Sequence, residues 1–277
     1  MLAWLVTIVD RSGINGSPRF SPSPLPRLFR RVPDLRLAGR VHEHFEPDLN
    51  VTARRLGLNV QSSIINIFHD GYSPNREADK MRRNARLMEL ELRDRPGQIF
   101  YEIRLSQALL KLSDSRAYFF LQQAWEKVRP MAGQTDPPPE PLIAELIDSL
   151  IVRQTREEFD TGWRTDALHA LAARWFPRWP PLIWRRANWQ FKHDRIAEAA
   201  QSLEELLQLA NDGAFDPVPS FNYDILATES QLNLGICYAH LKRFDDAEHC
   251  FAIAAQDPAW SDMATRNLEL LSKRVGS

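Results

Sequence analysis

The chain has 277 residues, 44% of them hydrophobic, and a formal net charge of −1. That length and apolar content suffice for one large or two ordinary domains with buried cores. A near-neutral balance excludes a dedicated nucleic-acid binder, whose domain would be strongly basic.

The opening stretch MLAWLVTIVD is apolar but too short to span a bilayer, and it has neither a basic n-region nor a cleavage site. The protein is therefore expected in the cytoplasm, without a membrane span. Residues 1 to about 72 carry the strand-like signals. LAWLVTIV is a short apolar run, LRLAGRVHEHF alternates, and VQSSIINIFH is rich in β-branched residues between Gly57 and Gly71. Between the first two, SGINGSPRFSPSPLP reads as a loop because it is dense in Gly, Ser and Pro. The cluster GRVHEHFE, residues 39–46, packs two histidines and two glutamates into eight positions. Three readings compete for it. On one continuous strand His42, His44 and Glu46 share a face and could hold a metal; one His and one Glu could serve catalysis; or the cluster is an ordinary solvated strand face.

From Asn75 onward the pattern is helical. Asn75 is placed to cap a first helix in which Ala78, Met81, Ala85, Met88 and Leu92 form one buried stripe, until Pro96 and Gly97 stop it. The basic residues of DKMRRNAR fall on the opposite, solvated face. Helices follow at roughly 99–112, 116–128, 141–157, 164–176, 182–193, 195–210, 226–241, 244–256 and 261–274, interrupted by TDPPPEP and NDGAFDPVPSFNYD. Short helices in pairs predict an array of helical hairpins.

Self-similarity points the same way. In LNLGICYAHLKRFDDAEHCFAIAAQDP, Leu234, Gly235, Tyr238, Ala247, Phe251 and Ala254 stand at the spacings of a tetratricopeptide (TPR) repeat. Gly235 and Ala247 are small where two helices must cross closely, and Tyr238 and Phe251 fill the space beside them. A second copy runs through Leu105, Leu109, Ala117, Leu121 and Ala124, with its inter-helix turn one residue short. Segments around Ala167 and Leu171, and around Ala199 and Leu203, are degenerate copies, and 261–274 would cover the open end. The repeat register puts Asn233 and Arg104 on a partner-binding face. Cys237 and Cys250 are too few for a disulfide framework and lack zinc-ligand spacing, so both are expected reduced and buried. Trp175, Trp179, Trp184 and Trp189 could stack on a sugar or a proline-rich peptide, or wedge between degenerate hairpins; packing is the simpler reading.

Three separated motifs occur in order: R-L-F-R at 27–30, G-x-V-H-E at 39–43 and H-x-G-Y at 69–72, followed by K-x-x-R-N at 80–84. Together, over roughly residues 27–130, they resemble the end of the catalytic domain of family 2 glycosyltransferases that carry C-terminal TPR repeats. The resemblance implies a GT-A fold and transfer of a sugar from a nucleotide donor, usually with a divalent metal (Mn or Mg) held by a D-x-D motif. It places His42 near the diphosphate or its metal and Glu43 near the acceptor as a candidate base, with His69 and Tyr72 packing against the first helix. An imidazole can ligate metal or offset diphosphate charge, and a carboxylate can deprotonate an acceptor hydroxyl.

The chain departs from that family where the nucleotide-binding half belongs. Only 26 residues precede the first motif, and Asp10 is followed by Arg11 and Ser12, so the second carboxylate is missing. Nothing then neutralises a diphosphate leaving group. The expectation is a chain that binds no cofactor and transfers no sugar alone, being a fragment, a mis-started reading frame or a remnant kept for its repeats. The expected fold is mainly α, a TPR-like α-solenoid preceded by a small α/β remnant. Its parts are a truncated GT-A portion at 1–74, a connecting helix at 75–96, and helical repeats with a capping helix at 97–277. The alternative function is a TPR module that grips a protein or peptide without catalysis. Unless a partner or the missing half covers the sheet, residues 1 to about 70 are expected to be poorly ordered or to associate through their strand edges.

Overall fold

The structure, a computed structural model, describes residues 1–14, 17–33, 35–69, 74–140, 142–216 and 221–275. The fold is mainly α, and the chain divides into two compact units, Met1–Ala124 and Trp125–Ser277.

The first unit holds a three-stranded sheet in the order β2-β1-β5. Strand β1 (Ala3–Ile14) pairs antiparallel with β2 (Ser17–Phe29) and parallel with β5 (Val60–His69). The segment SGINGSPRFSPSPLP is thus not simply a loop: from Ser17 it contributes to an edge strand. Pro18, Pro22, Pro24 and Pro26 all fall at even positions, so their missing N–H groups lie on one edge, where a strand at the border of a sheet tolerates them. LRLAGRVHEHF likewise does not run as one strand. It breaks into β3 (Arg36–Ala38) and β4 (His44–Glu46), paired antiparallel as a hairpin, because Gly39 (φ 96°) and His42 (φ 54°) both take left-handed backbone. The shared face of His42, His44 and Glu46 disappears with that break.

Sequence reading missed α1 (Leu49–Arg55), whose first turn is capped by Asp48 accepting from the amides of Asn50 and Val51 at 2.9 and 3.0 Å. Its Leu49 and Ala53 close a small core with Leu2 and Ala3 at one end of the sheet. Beyond it β5 is bare: Ile64 is 98% and Phe68 68% exposed. Helix α2 (Pro74–Asp94) opens on Pro74, which is pre-set for a first turn, so Asn75 lies inside the helix. Its Ala85 and Met88 pack on Tyr101, Leu105 and Leu109 of α3 (Ile99–Lys111), with Ala117 of α4 (Arg116–Val128) in the same core. Ala78 is exposed, while Asn84 and Glu91 are buried in the stripe.

The second unit contains α5 (Ile143–Thr155), α6 (Thr165–Trp175), α7 (Pro180–Lys192), α8 (Ile196–Asn211), α9 (Thr228–His240), α10 (Phe244–Ala254) and α11 (Ser261–Val275). Helices α5 and α6, α7 and α8, and α9 and α10 form consecutive hairpins. Their corners, and that between α3 and α4, share one geometry. Ser113, Glu157, Asp194 and Lys242 take φ between 55° and 61°. In each corner the next amide bonds a carbonyl five residues back at 2.9 Å: Asp114 to Leu109, Glu158 to Arg153, Arg195 to Gln190 and Arg243 to Tyr238. This is the left-handed helix stop of a hairpin, repeated four times.

The α9–α10 crossing follows the repeat logic. A Cβ on Gly235 would lie 2.6 Å from Phe251 Cε1, and Ala247 is fully buried beside them. Counting back from the matching corner bonds, Ala187, Ala199 and Leu203 take the places of Gly235, Ala247 and Phe251 in the α7–α8 hairpin, and all three are buried. Helix α11 covers α10 with Ala264 and Leu271. No helix among the described residues is long and apolar enough to cross a membrane.

Candidate functional site

Two places gather the residues singled out from sequence, one in each unit. The first is the turn 39–43 between β3 and β4, clamped from both sides. The Tyr101 hydroxyl donates to the Val41 carbonyl at 3.0 Å, and it lies so close to Gly39 that a Cβ there would sit 2.2 Å from the phenol oxygen. Only glycine fits. Arg40 donates through its amide and its guanidinium to Glu91 at 3.3 and 3.1 Å, and to Asp94 at 2.5 Å. Glu91 also pairs with Arg95. Burial would raise the Glu91 carboxyl's pKa, but the bonds from Arg95 and Arg40 outweigh it and hold the group ionised below its usual range.

The clamp presents His42 in left-handed backbone, a conformation that is uncommon outside glycine. Its ring meets Phe100 edge-on at 6.3 Å, and the Arg104 guanidinium lies 5.9 Å from the same Phe100 ring. Partial burial lowers the imidazole's pKa. Arg104 and Lys80 lower it further, and Glu43 opposes them. At neutral pH His42 is therefore an uncharged ring in a cationic setting, with an exposed carboxylate, Glu43, next to it. Arg104 stands with His42 on this unit, while Asn233 belongs to the other. His69 closes β5, and Tyr72 lies outside the described residues.

The second place is a small pocket lined by α7, α8 and α9. Phe191, Leu203, Ile236 and Cys237 make its apolar lining, and two carboxamides, Asn188 and Asn233, face it. Asn188 donates one N–H to the Trp184 carbonyl at 3.0 Å, which leaves its oxygen as an acceptor. Asn233 has no hydrogen-bond partner among the described residues. Burial pushes the Cys237 thiol up to about 12, so it acts as an apolar wall and not as a nucleophile. Asn188 was not legible from sequence: by the corner register it occupies the place of Ile236, and only the fold, which sets α7, α8 and α9 around one pocket, puts it there with Asn233.

The tryptophans are packed. Trp175 and Trp179 are buried, and Trp175 donates its ring N–H to the Gln134 carbonyl at 3.1 Å. Trp184 packs on the α7–α10 core, and Trp189 is stacked between His169 and His193.

No protein-family model matches the chain, and no curated protein is similar to it. Among solved structures it is similar to a thermophilic TPR protein of Thermus thermophilus, at 18% identity and a TM-score of 0.41, over 72% of this chain and 93% of that one. It is also similar to an assembly chaperone of RpL4 (residues 1–338), at 13% identity and a TM-score of 0.37, over 74% of this chain and all of that one. The assignment of helical-hairpin repeats rests on the shared corners and the Gly235–Phe251 crossing.

Proposed function

We propose that the chain is a protein-binding module of the helical-repeat type, whose α7–α9 pocket takes an extended segment of a partner protein. The observation that carries this reading is the carboxamide of Asn233, which has no partner among the described residues, in one pocket with Asn188 above an apolar floor. A carboxamide offers both a donor and an acceptor, which is what a peptide backbone needs, and the floor accepts one apolar side chain. The test is a peptide array probed with the full chain, followed by titration of the best peptides. Asn233→Ala is expected to weaken binding about 5- to 10-fold, the worth of one or two hydrogen bonds, with an unchanged melting temperature. If no peptide's affinity depends on Asn233, the pocket is not the binding site.

A second reading attaches to the clamped turn. Its G-x-V-H-E residues resemble the acceptor-side end of a family 2 glycosyltransferase, in which His42 would face the donor's diphosphate and Glu43 the acceptor. The cationic setting of His42, with Arg104 and Lys80 beside it, supports an anion there. The metal of that family does not fit. Among the described residues no three His, Cys, Asp or Glu side chains converge, and neighbouring cations oppose a further one. UDP is the probe: calorimetric binding lost in both His42→Ala and Arg104→Ala supports a retained diphosphate site. Absence of any heat at millimolar UDP leaves the turn a structural clamp.

A further inference from the structure

We propose that the seam between the α5–α6 and α7–α8 hairpins is an acid-sensitive joint, closed by the neutral imidazole of His169 packed on Trp189 and opened when that ring takes a proton. His169 projects from α6 and is only 4% exposed, yet neither of its ring nitrogens has a hydrogen-bond partner among the described residues. A buried polar group without a partner is costly, and a buried charge without one far more so. The ring lies 5.2 Å from that of Trp189 on α7, tilted 38° to it, and Trp189 in turn meets His193 at 4.6 Å and 34°. The Arg195 guanidinium sits 5.3 Å from the Trp189 ring. His169 therefore contacts the next hairpin through the tilted face of an indole, with both ring nitrogens unpartnered among the described residues, a setting that favours the uncharged ring.

The charged groups around it do not rescue a proton. Arg186 and His193, from the facing hairpin, both disfavour the imidazolium, and only Asp166 on its own helix favours it. Asp166 is held by Arg164 at 2.8 Å. Arg186 reaches across to Ser202 and Glu205 of α8, and Asp148 of α5 is paired with Arg185 at 2.9 Å. Burial, the largest cause, together with Arg186 and His193 pushes the His169 ring down to about 4 from its ordinary 6.5.

The direction follows. Above pH 6.5 both folded and unfolded chains carry the neutral ring and the seam is intact. As the pH falls from 6.5 toward 4, the released ring binds a proton that the packed ring refuses, so opening becomes progressively more favourable. A histidine placed this way is a switch that works in mildly acidic solution.

The experiment is hydrogen exchange of the full chain between pH 7.5 and 4.5, corrected for intrinsic rates and read on peptides covering α6 and α7. Protection there is expected to fall with acidification before that of α9 and α10. His169→Phe, which keeps the stack and removes the proton site, is expected to move that loss down by about half a pH unit or more. An unchanged midpoint in His169→Phe overturns the proposal, as does a loss that His193→Gln abolishes and His169→Phe leaves in place. Should the phenylalanine variant fail to fold, exchange at the His169 C2 position of the wild-type chain decides. A midpoint below about 5.5 supports the joint, and one near the free value of about 6.5 overturns it.

Discussion

At the scale of single residues, the positions that fix this molecule are those where something larger cannot fit. Gly39 is fixed by the Tyr101 hydroxyl and Gly235 by the Phe251 ring. The two glycines do different work, since Gly39 is also in left-handed backbone whereas Gly235 is helical and is needed only for space. Gly235→Ala gains helix propensity, about 1 kcal/mol, but drives a methyl into an aromatic ring held at the centre of a hairpin. Overpacking of this kind costs about 1–3 kcal/mol, so the net effect is expected to be destabilising. Denaturant unfolding of the variant, read at the α9–α10 hairpin by hydrogen exchange, checks it: equal or greater stability would show that Phe251 can step aside. Gly235 was legible from the repeat spacing. Gly39 was not, because the residue that requires it is 62 positions away in sequence.

Among the elements, β5 is the one out of balance. A strand paired in parallel is usually covered on both faces, yet β5 carries Ile64, Ile65, Ile67 and Phe68 all exposed. Ser63 holds an irregularity in its pairing, donating to the Leu5 carbonyl at 2.9 Å and accepting from the Ile65 amide at 3.2 Å. Such irregularities blunt an edge against further strand pairing, but they leave the apolar side chains in water. Ile64→Lys, at a site 98% exposed, should cost little stability and lower concentration-dependent association, measured by light scattering of the full chain at matched concentrations. If the lysine variant associates as strongly as the parent, the exposed strand is not what drives it.

Over the whole molecule, legibility divides along local and non-local information. The helices from α3 onward were readable because apolar spacing and breakers are local: each stretch such as IFYEIRLSQALLK carries its own stripe and stop. The sheet was readable only where β-branched residues declared it, in β1 and β5. β2 hid behind prolines whose phase, and not their number, makes them compatible with an edge, and the GRVHEHFE alternation concealed two left-handed residues that fold it back on itself. The candidate sites divide the same way. Asn233 could be placed by repeat register, but its companion Asn188 comes from a hairpin whose repeat pattern has eroded. His42 and Arg104 were each singled out for separate reasons, and their meeting at Phe100 depends on the packing of α2 and α3. The seam histidine carried no sequence signal at all, since a lone His on a helix is defined only by what surrounds it.

The four corners show how such erosion is possible. Each is closed by a backbone amide and a backbone carbonyl, and the left-handed positions are filled by Ser113, Glu157, Asp194 and Lys242, four unlike side chains. The instruction to turn is thus written in the main chain, and substitution can pass through these positions while the corner persists. An array built this way can drift until little of its repeat signature survives except the small residues where helices cross, which is where the Gly235–Ala247 and Ala187–Ala199 pairs still stand.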